Sequence, residues 1–431
     1  MGRAGVTARP MLSSGRSEWG VGVLLFVGLA CSGVLLLFVM RASPRLAFVV
    51  WCATLFFIPV WIGVSLGPFW SAITLMTGAA VVAFGRNLTL LPVDGVVTLL
   101  VFMMLAQYGL KLASLATVVT AMSEWILPYI LGRLVLGRLE QPTFVDIVAV
   151  FVVVAAVLGL VEFGTHTNLF TRITGPGSVS LYETWGTLQE RGGNLRVEGA
   201  FGHSIAFGAT LAMGSAFILA CRWKPWIKLI GLLLVTGAVA ASLSRLALLT
   251  LALTVGLSLV LMPGLGRRLR VGILVLGGLG GVALLPYVTG ILLAAGEEAS
   301  GSADYRLDLM SLLKVVRPLG SAEDFVGLTT GGSYLGVFAR SIDNAALVAA
   351  LRVGWVGAIL LLIVVGFAAL RLLQRGGANP ASIAVAAQIP SLFTVAFITQ
   401  FAVAFWFLVG VAVSWPLLTP ATRGSRRAKN E

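Results

Sequence analysis

Charge is what this sequence has least of. Only 11% of its 431 residues are Asp, Glu, Lys or Arg, 58% are hydrophobic, and mean hydropathy is +0.99. Soluble domains run near a quarter charged, so a water-soluble globular chain is excluded. Acid is scarcer still: 17 Asp and Glu stand against 30 Lys and Arg, a net charge of +13. These cations are scattered through short links between apolar runs. That pattern fits the positive-inside rule of membrane proteins and argues against a nucleic-acid partner. Histidine is reduced to His166 and His203, and the cysteines, Cys31, Cys52 and Cys221, all fall in apolar runs. No metal-ligand spacing and no disulfide framework follow from these, and no cofactor is expected.

Long apolar runs are what the chain does have. A membrane span needs about 20 apolar residues, and the chain reads as about 12 or 13 of them. They are 19–40, 46–63, 68–84, 90–110, 112–132, 144–162, 200–220, 227–243, 246–262, 271–294, 345–370, 382–399 and 401–418. Pro390 and Gln400 interrupt the last two. The expected fold is all-α, a polytopic helical membrane protein with one integral domain over 19–420. Basic tails flank it at 1–18 and 421–431. No cleavage site convincingly follows the first apolar run, so it reads as a retained span. No internal repeat suggests the paired halves of a transporter.

Arg41 and Arg45, Arg86, Arg133 and Arg138, Arg222 with Lys224 and Lys228, Arg267 to Arg270, and Arg371 with Arg375 occupy every second link. Those links are therefore assigned to the cytoplasm. The two long loops, about 163–199 and 295–344, fall on the outer side and hold most of the acids. With 13 spans the C-terminal tail is inside, as its charge requires, but the basic N-terminal tail falls outside. Asn87-Leu88-Thr89 matches a glycosylation sequon on the cytoplasmic side, where it is discounted.

In the second loop, Tyr305, Leu309, Leu312 and Val316 form one helical stripe. Arg306, Met310, Leu313 and Arg317 form another, which sets two arginines on one face about three turns apart. Pro318 ends that helix. Further outer arginines are Arg191, Arg196, Arg245 and Arg340. Arginine is costly at membrane depth unless paired or functional, and its planar fork suits phosphate oxygens. Each reads either as an interfacial anchor bonded to an acid such as Glu198 or Asp308, or as an anion-binding group. His203, one turn inside its helix, reads either as a helix-to-helix hydrogen bond or as part of a site. Asp343, beside Asn344 at the start of a span, reads as a helix cap or as an outward general base.

Taken in order, these pieces resemble the O-antigen ligase and O-antigen polymerase superfamily. The set comprises Arg196-Val-Glu198-Gly199-Ala-Phe201 before a span and Ser244-Arg245 between spans. A loop helix bearing Arg306 follows, then Asn344, nine residues and Gly354-Trp-Val-Gly357. The resemblance covers about 190–370, with the N-terminal third similar by hydropathy. It implies a GT-C-like membrane glycosyltransferase with a long outer-face loop between late helices. Such an enzyme would transfer or polymerise a polyprenyl-diphosphate-linked glycan onto a glycan or lipid acceptor, outside the cytoplasmic (inner) membrane, by inversion and without a metal. It assigns Arg245 and Arg306 to the diphosphate with Arg196 ahead of them, and Arg191, Glu198, His203 and Asn344 to the surrounding substrate site. One departure stands out, because the family's His-Asn motif here begins with Asp343. An aspartate is the weaker base, with an unperturbed pKa of about 3.9. His203 and Glu198 are alternative bases. A transporter or flippase would use the same arginines, and a non-catalytic envelope scaffold would use none.

Overall fold

The computed structural model describes residues 33–65, 68–85, 88–191, 193–294, 309–322, 329–330, 333–334, 342–373 and 378–415. Arg306, Arg340 and the Asn87 sequon lie outside the described residues. The chain is helical almost throughout. Its first half gives α1 (Gly33–Ala42), α2 (Pro44–Phe57), α3 (Ala72–Phe84), α4 (Pro92–Gly109), α5 (Leu115–Val135), α6 (Gln141–Thr165) and α7 (Val179–Trp185). Its second half gives α8 (Ser204–Ala220), α9 (Pro225–Ala241), α10 (Arg245–Leu261), α11 (Arg267–Ala294), α12 (Ala345–Leu370), α13 (Pro380–Ala387), α14 (Ile389–Leu392) and α15 (Thr399–Ser414). Three small antiparallel pairs interrupt the links among the described residues: β1 (Gly63–Ser65) with β2 (Phe69–Ser71), β3 (Glu190–Arg191) with β4 (Asn194–Leu195), and β5 (Thr329–Thr330) with β6 (Ser333–Tyr334). Four helices, α4, α5, α6 and α12 with its extension to Leu373, are long and apolar enough to cross a membrane. The apolar helices α1, α2, α3, α8, α9, α10 and α15 are shorter, at 10–17 residues.

The helix starts are written locally. Proline sits at the first turn of α2, α4, α9 and α13, where its missing N–H costs nothing. Side chains of Ser43, Ser71, Ser114, Ser244, Asn344 and Asn379 accept amide hydrogens of the turns they open. Two helices are buried nearly all round, α8 from Ala206 to Leu219 and α15 from Gln400 to Ser414. A helix apolar on every side belongs in the centre of a bundle. α15 crosses α5 at a glycine pair: a Cβ on Gly132 would run into the Phe407 carbonyl, and one on Gly410 into that of Tyr129. Small residues at such a crossing let two backbones touch. Trp51 and Phe407 meet at 4.4 Å, and Phe48 and Phe144 at 5.1 Å, to fill the middle.

Hydrogen bonds between links sort the ends of the bundle. Trp61 Nε1 donates to Ile173 O at 3.1 Å, Ser321 N to Leu112 O at 2.8 Å, Val197 N to Ala241 O at 3.2 Å, and Ala345 N to Val395 O at 2.9 Å. Each of these pairs joins two links that the charge pattern puts outside. Arg222 Nε meets Asp146 at 2.7 Å and Arg138 Nε meets Phe84 O at 3.3 Å, pairs from links that it puts inside. The arrangement of helices is thus consistent with alternating links at two ends.

Arg133 departs from its reading as a topology charge. It is buried, 2.7 Å from Asp94, and also donates to Ser414 Oγ and Thr89 O, while Tyr129 donates to Asp94 at 2.7 Å. It pins α4, α5 and α15 together. Gln400, read as an interruption, is an anchor instead: its Nε2 donates to Ile58 O at 2.8 Å and Ala200 O at 3.1 Å.

The sequence shows little sign of broken helices, yet two are present. α5 passes through a π-helical turn, Met122–Ile126. α12 breaks at Gly354, where φ is +80° and ψ 172°. The segment after Met310–Val315, a 3-10 helix, fills the gap. Trp355 N donates to Arg317 O at 2.9 Å, Val356 N to Pro318 O at 3.2 Å, and Ala322 N to Leu351 O at 2.8 Å. In that segment Leu309, Leu312 and Val316 are buried while Met310 and Leu313 are exposed, as the two stripes require.

Candidate functional site

One end of the bundle, the one that the charge pattern assigns to the outside, gathers five of the sequence candidates around one turn. That turn, Ser242–Ser244, links α9 to α10 and holds Leu243 at φ +50°. Arg191, on β3, donates from Nη1 to Leu243 O at 3.0 Å. Arg196 donates from Nε to Ser242 O at 3.1 Å, and reaches the Gln189 side-chain oxygen at 3.5 Å. Arg245 is the exposed first residue of α10, capped by Ser244 Oγ accepting from Ala247 N at 3.2 Å. Three guanidinium groups therefore stem from, or bond to, a four-residue stretch. Arg191 and Arg196 each bond to a backbone carbonyl of this turn, and the Arg196 charge also acts on Glu198.

Glu198 lies beneath this cluster, 1% exposed, accepting from Gln189 N at 2.9 Å. Its own N–H donates to Glu162 at 3.0 Å, as does that of Gly199, and Asn168 Nδ2 donates to the same carboxylate at 3.2 Å. Burial pushes the Glu198 carboxyl up to about 8, opposed by the Gln189 bond, aided by the nearby Glu162 charge and opposed by Arg196. A carboxyl so enclosed ties the 163–199 loop to the bundle.

His203 is not inside its helix but at the N-cap of α8, where Nδ1 accepts from Ile205 N at 3.3 Å. Burial and the Arg196 charge lower its pKa to about 3, which makes it a poor proton acceptor. Its ring stands edge-on to Trp185 at 5.9 Å. Trp185 in turn lines a cavity of about 480 Å³ between α3, α5, α7, α12 and α15. The far rim of that cavity is Ala345 and Ala346, directly after Asp343 and Asn344. Asn344, not Asp343, caps α12, with Oδ1 accepting from Leu347 N at 2.9 Å. Asp343, half-buried one residue earlier, is therefore not the cap that the sequence suggested.

Two charges escaped sequence reasoning. Glu124 sits in the π turn of α5 and Arg352 two residues before the break in α12, and both line the cavity. The signal was present, since an acid within 112–132 and an arginine within 345–370 are rare in spans and mark sites by default. Glu162, at the end of another span, was missed in the same way. Among the described residues no group of three His, Cys, Asp or Glu could hold a metal ion. No family model matches this chain, and no curated protein or solved structure does either.

Proposed function

We propose that this protein is a membrane glycosyltransferase of O-antigen ligase or polymerase type, GT-C-like in architecture, using a polyprenyl-diphosphate-linked glycan. The observation that supports this reading is the arrangement at one bundle end. Arg191 and Arg196 bond to the 242–243 carbonyls beside Arg245, and Trp185, edge-on to His203, lines a cavity that Ala345, two residues after Asp343, also lines. In the reaction the acceptor hydroxyl oxygen attacks the anomeric carbon from the face opposite the diphosphate. The carbon–oxygen bond to the diphosphate breaks, the electron pair stays on the diphosphate oxygen, and Arg245, Arg196 and Arg306 stabilise its negative charge. The acceptor proton passes to Asp343. Cationic stabilisation of a departing anion often contributes more to such catalysis than any other single effect. With His203 and Glu198 buried and bonded, Asp343 is the favoured base. The active face is the outer one, by the positions of Lys and Arg.

A transporter or flippase is the second reading. The break at Gly354 and the charges Glu124 and Arg352 within helices favour it, because interrupted helices and midplane charges mark transport sites. One assay separates the two. Purified protein in nanodiscs, given a polyprenyl-diphosphate oligosaccharide and acceptor extract from its host, should release polyprenyl diphosphate. Arg245→Ala and Asp343→Asn should each slow release at least a hundredfold. Wild-type rates in the Arg245→Ala protein would sink the mechanism. Donor movement between leaflets without release would support transport.

A further inference from the structure

The cavity itself says which chemistry it accepts. Its volume, about 480 Å³, is in the range of small-ligand sites, and its lining is mainly apolar with scattered polar groups. Those groups are unusually rich in hydroxyls: Ser71, Thr74, Thr120, Ser123, Ser178 and Thr399 all contribute. Trp125, Trp185 and Trp406 supply flat apolar surface beside them. Charge is balanced, with Glu124 and Arg352 the charged side chains lining it among the described residues.

Thr399 stands out within this lining. It is β-branched yet held at φ +52°, a conformation that costs such residues free energy. Its Oγ1 is buried and has no hydrogen-bond partner among the described residues. Buried hydroxyls are normally satisfied, so an orphan in a strained residue facing a cavity points to a ligand group. The π turn of α5, a feature frequent at functional sites, brings Ser123 and Glu124 to the same space.

We propose that this cavity is a saccharide subsite selective for uncharged sugars, with Thr399 Oγ1 and Glu124 bonding ring hydroxyls and a tryptophan packing on the ring face. Hydroxyls donate and accept at once, so a wall of Ser and Thr matches a polyol. One acid balanced by one base offers no net charge to neutralise a uronate or a sulfate. The inference deepens the transferase reading by naming the glycan class at that site. It is tested by binding alone, so failure of turnover and failure of binding are separate results.

A photoreactive alkyl glucoside is crosslinked to the full-length protein in nanodiscs, and the adducts are mapped by peptide mass spectrometry. Octyl glucoside and octyl glucuronide, which differ in one carboxylate, serve as competitors. Adducts are expected in α7 and the start of α12, with the glucoside competing at least tenfold better. Thr399→Val keeps the shape and removes the hydroxyl, and Glu124→Gln removes the charge. Each should weaken labelling at least fivefold. If Thr399→Val instead raises thermal stability and leaves labelling unchanged, the hydroxyl is merely a buried orphan and the proposal falls. Equal competition by the two glycosides would overturn the selectivity for neutral sugars.

Discussion

Gly354→Ala tests whether the break in α12 is built in or incidental. At φ +80° and ψ 172° the backbone occupies a region essentially restricted to glycine, and forcing another residue there costs about 1–3 kcal/mol. A Cβ would also lie 2.7 Å from Pro318 O and 2.8 Å from Leu319 Cα, both backbone atoms with nowhere to swing. The 316–322 segment would have to withdraw. It would lose or lengthen three backbone bonds, from Trp355, Val356 and Ala322, at about 1 kcal/mol each. The sum is about 4–6 kcal/mol. For a chain of this size that lowers the apparent Tm by about 4–7 °C. The assay is thermal unfolding in nanodiscs, with Gly366→Ala, where a Cβ meets nothing within 4 Å, as the control on the same helix. On the proposed transferase reading, polyprenyl diphosphate release should fall along with stability in Gly354→Ala, because Arg352 and the cavity wall move with the break. If the two variants melt together, the straight helix is accessible and the argument from backbone geometry is wrong.

Asp94→Asn and Arg133→Ala should each destabilise the bundle by about 3–5 kcal/mol, because each leaves the other group buried without its opposite charge. Replacing both with apolar residues should recover much of that loss, and chemical denaturation of the three variants checks it. Glu198 gives a pH signature. Its folded pKa, about 8, exceeds the ordinary 4.5, so the folded state holds its proton over that window. Stability from this group is therefore complete below about pH 4.5, declines as pH rises through 8, and is flat beyond. Glu198→Gln should remove that decline, as followed by limited proteolysis of the 163–199 loop between pH 5 and 9.

Composition alone was enough to expect a helical, membrane-embedded chain, because so few charges cannot cover a water-exposed surface, and the fold is helical with four helices long and apolar enough to cross a membrane. The proline and serine caps at helix starts act locally, through the nearest three amides, and so were legible in principle although the spans were read from apolar runs alone. The stripe of Leu309, Leu312 and Val316 was also legible, because burial on one helical face is periodic in sequence. The placement of Arg191 and Arg196 on the 242–243 carbonyls was not, for those partners lie 46 and more residues away. Nor could the sequence say that Asn344 rather than Asp343 caps α12, a choice between neighbours made by how the chain enters the helix. The break at Gly354 and the burial of Arg133 belong to tertiary structure as well. Glycine permits a positive φ without requiring it, and only the inserted Pro318 segment makes it necessary. An arginine in a link looks like any topology charge until Asp94, 39 residues away, closes on it inside the bundle. Local sequence thus determined where helices form and which faces are apolar. Packing decided which of the scarce charges met, since that depends on contacts between segments far apart in the chain.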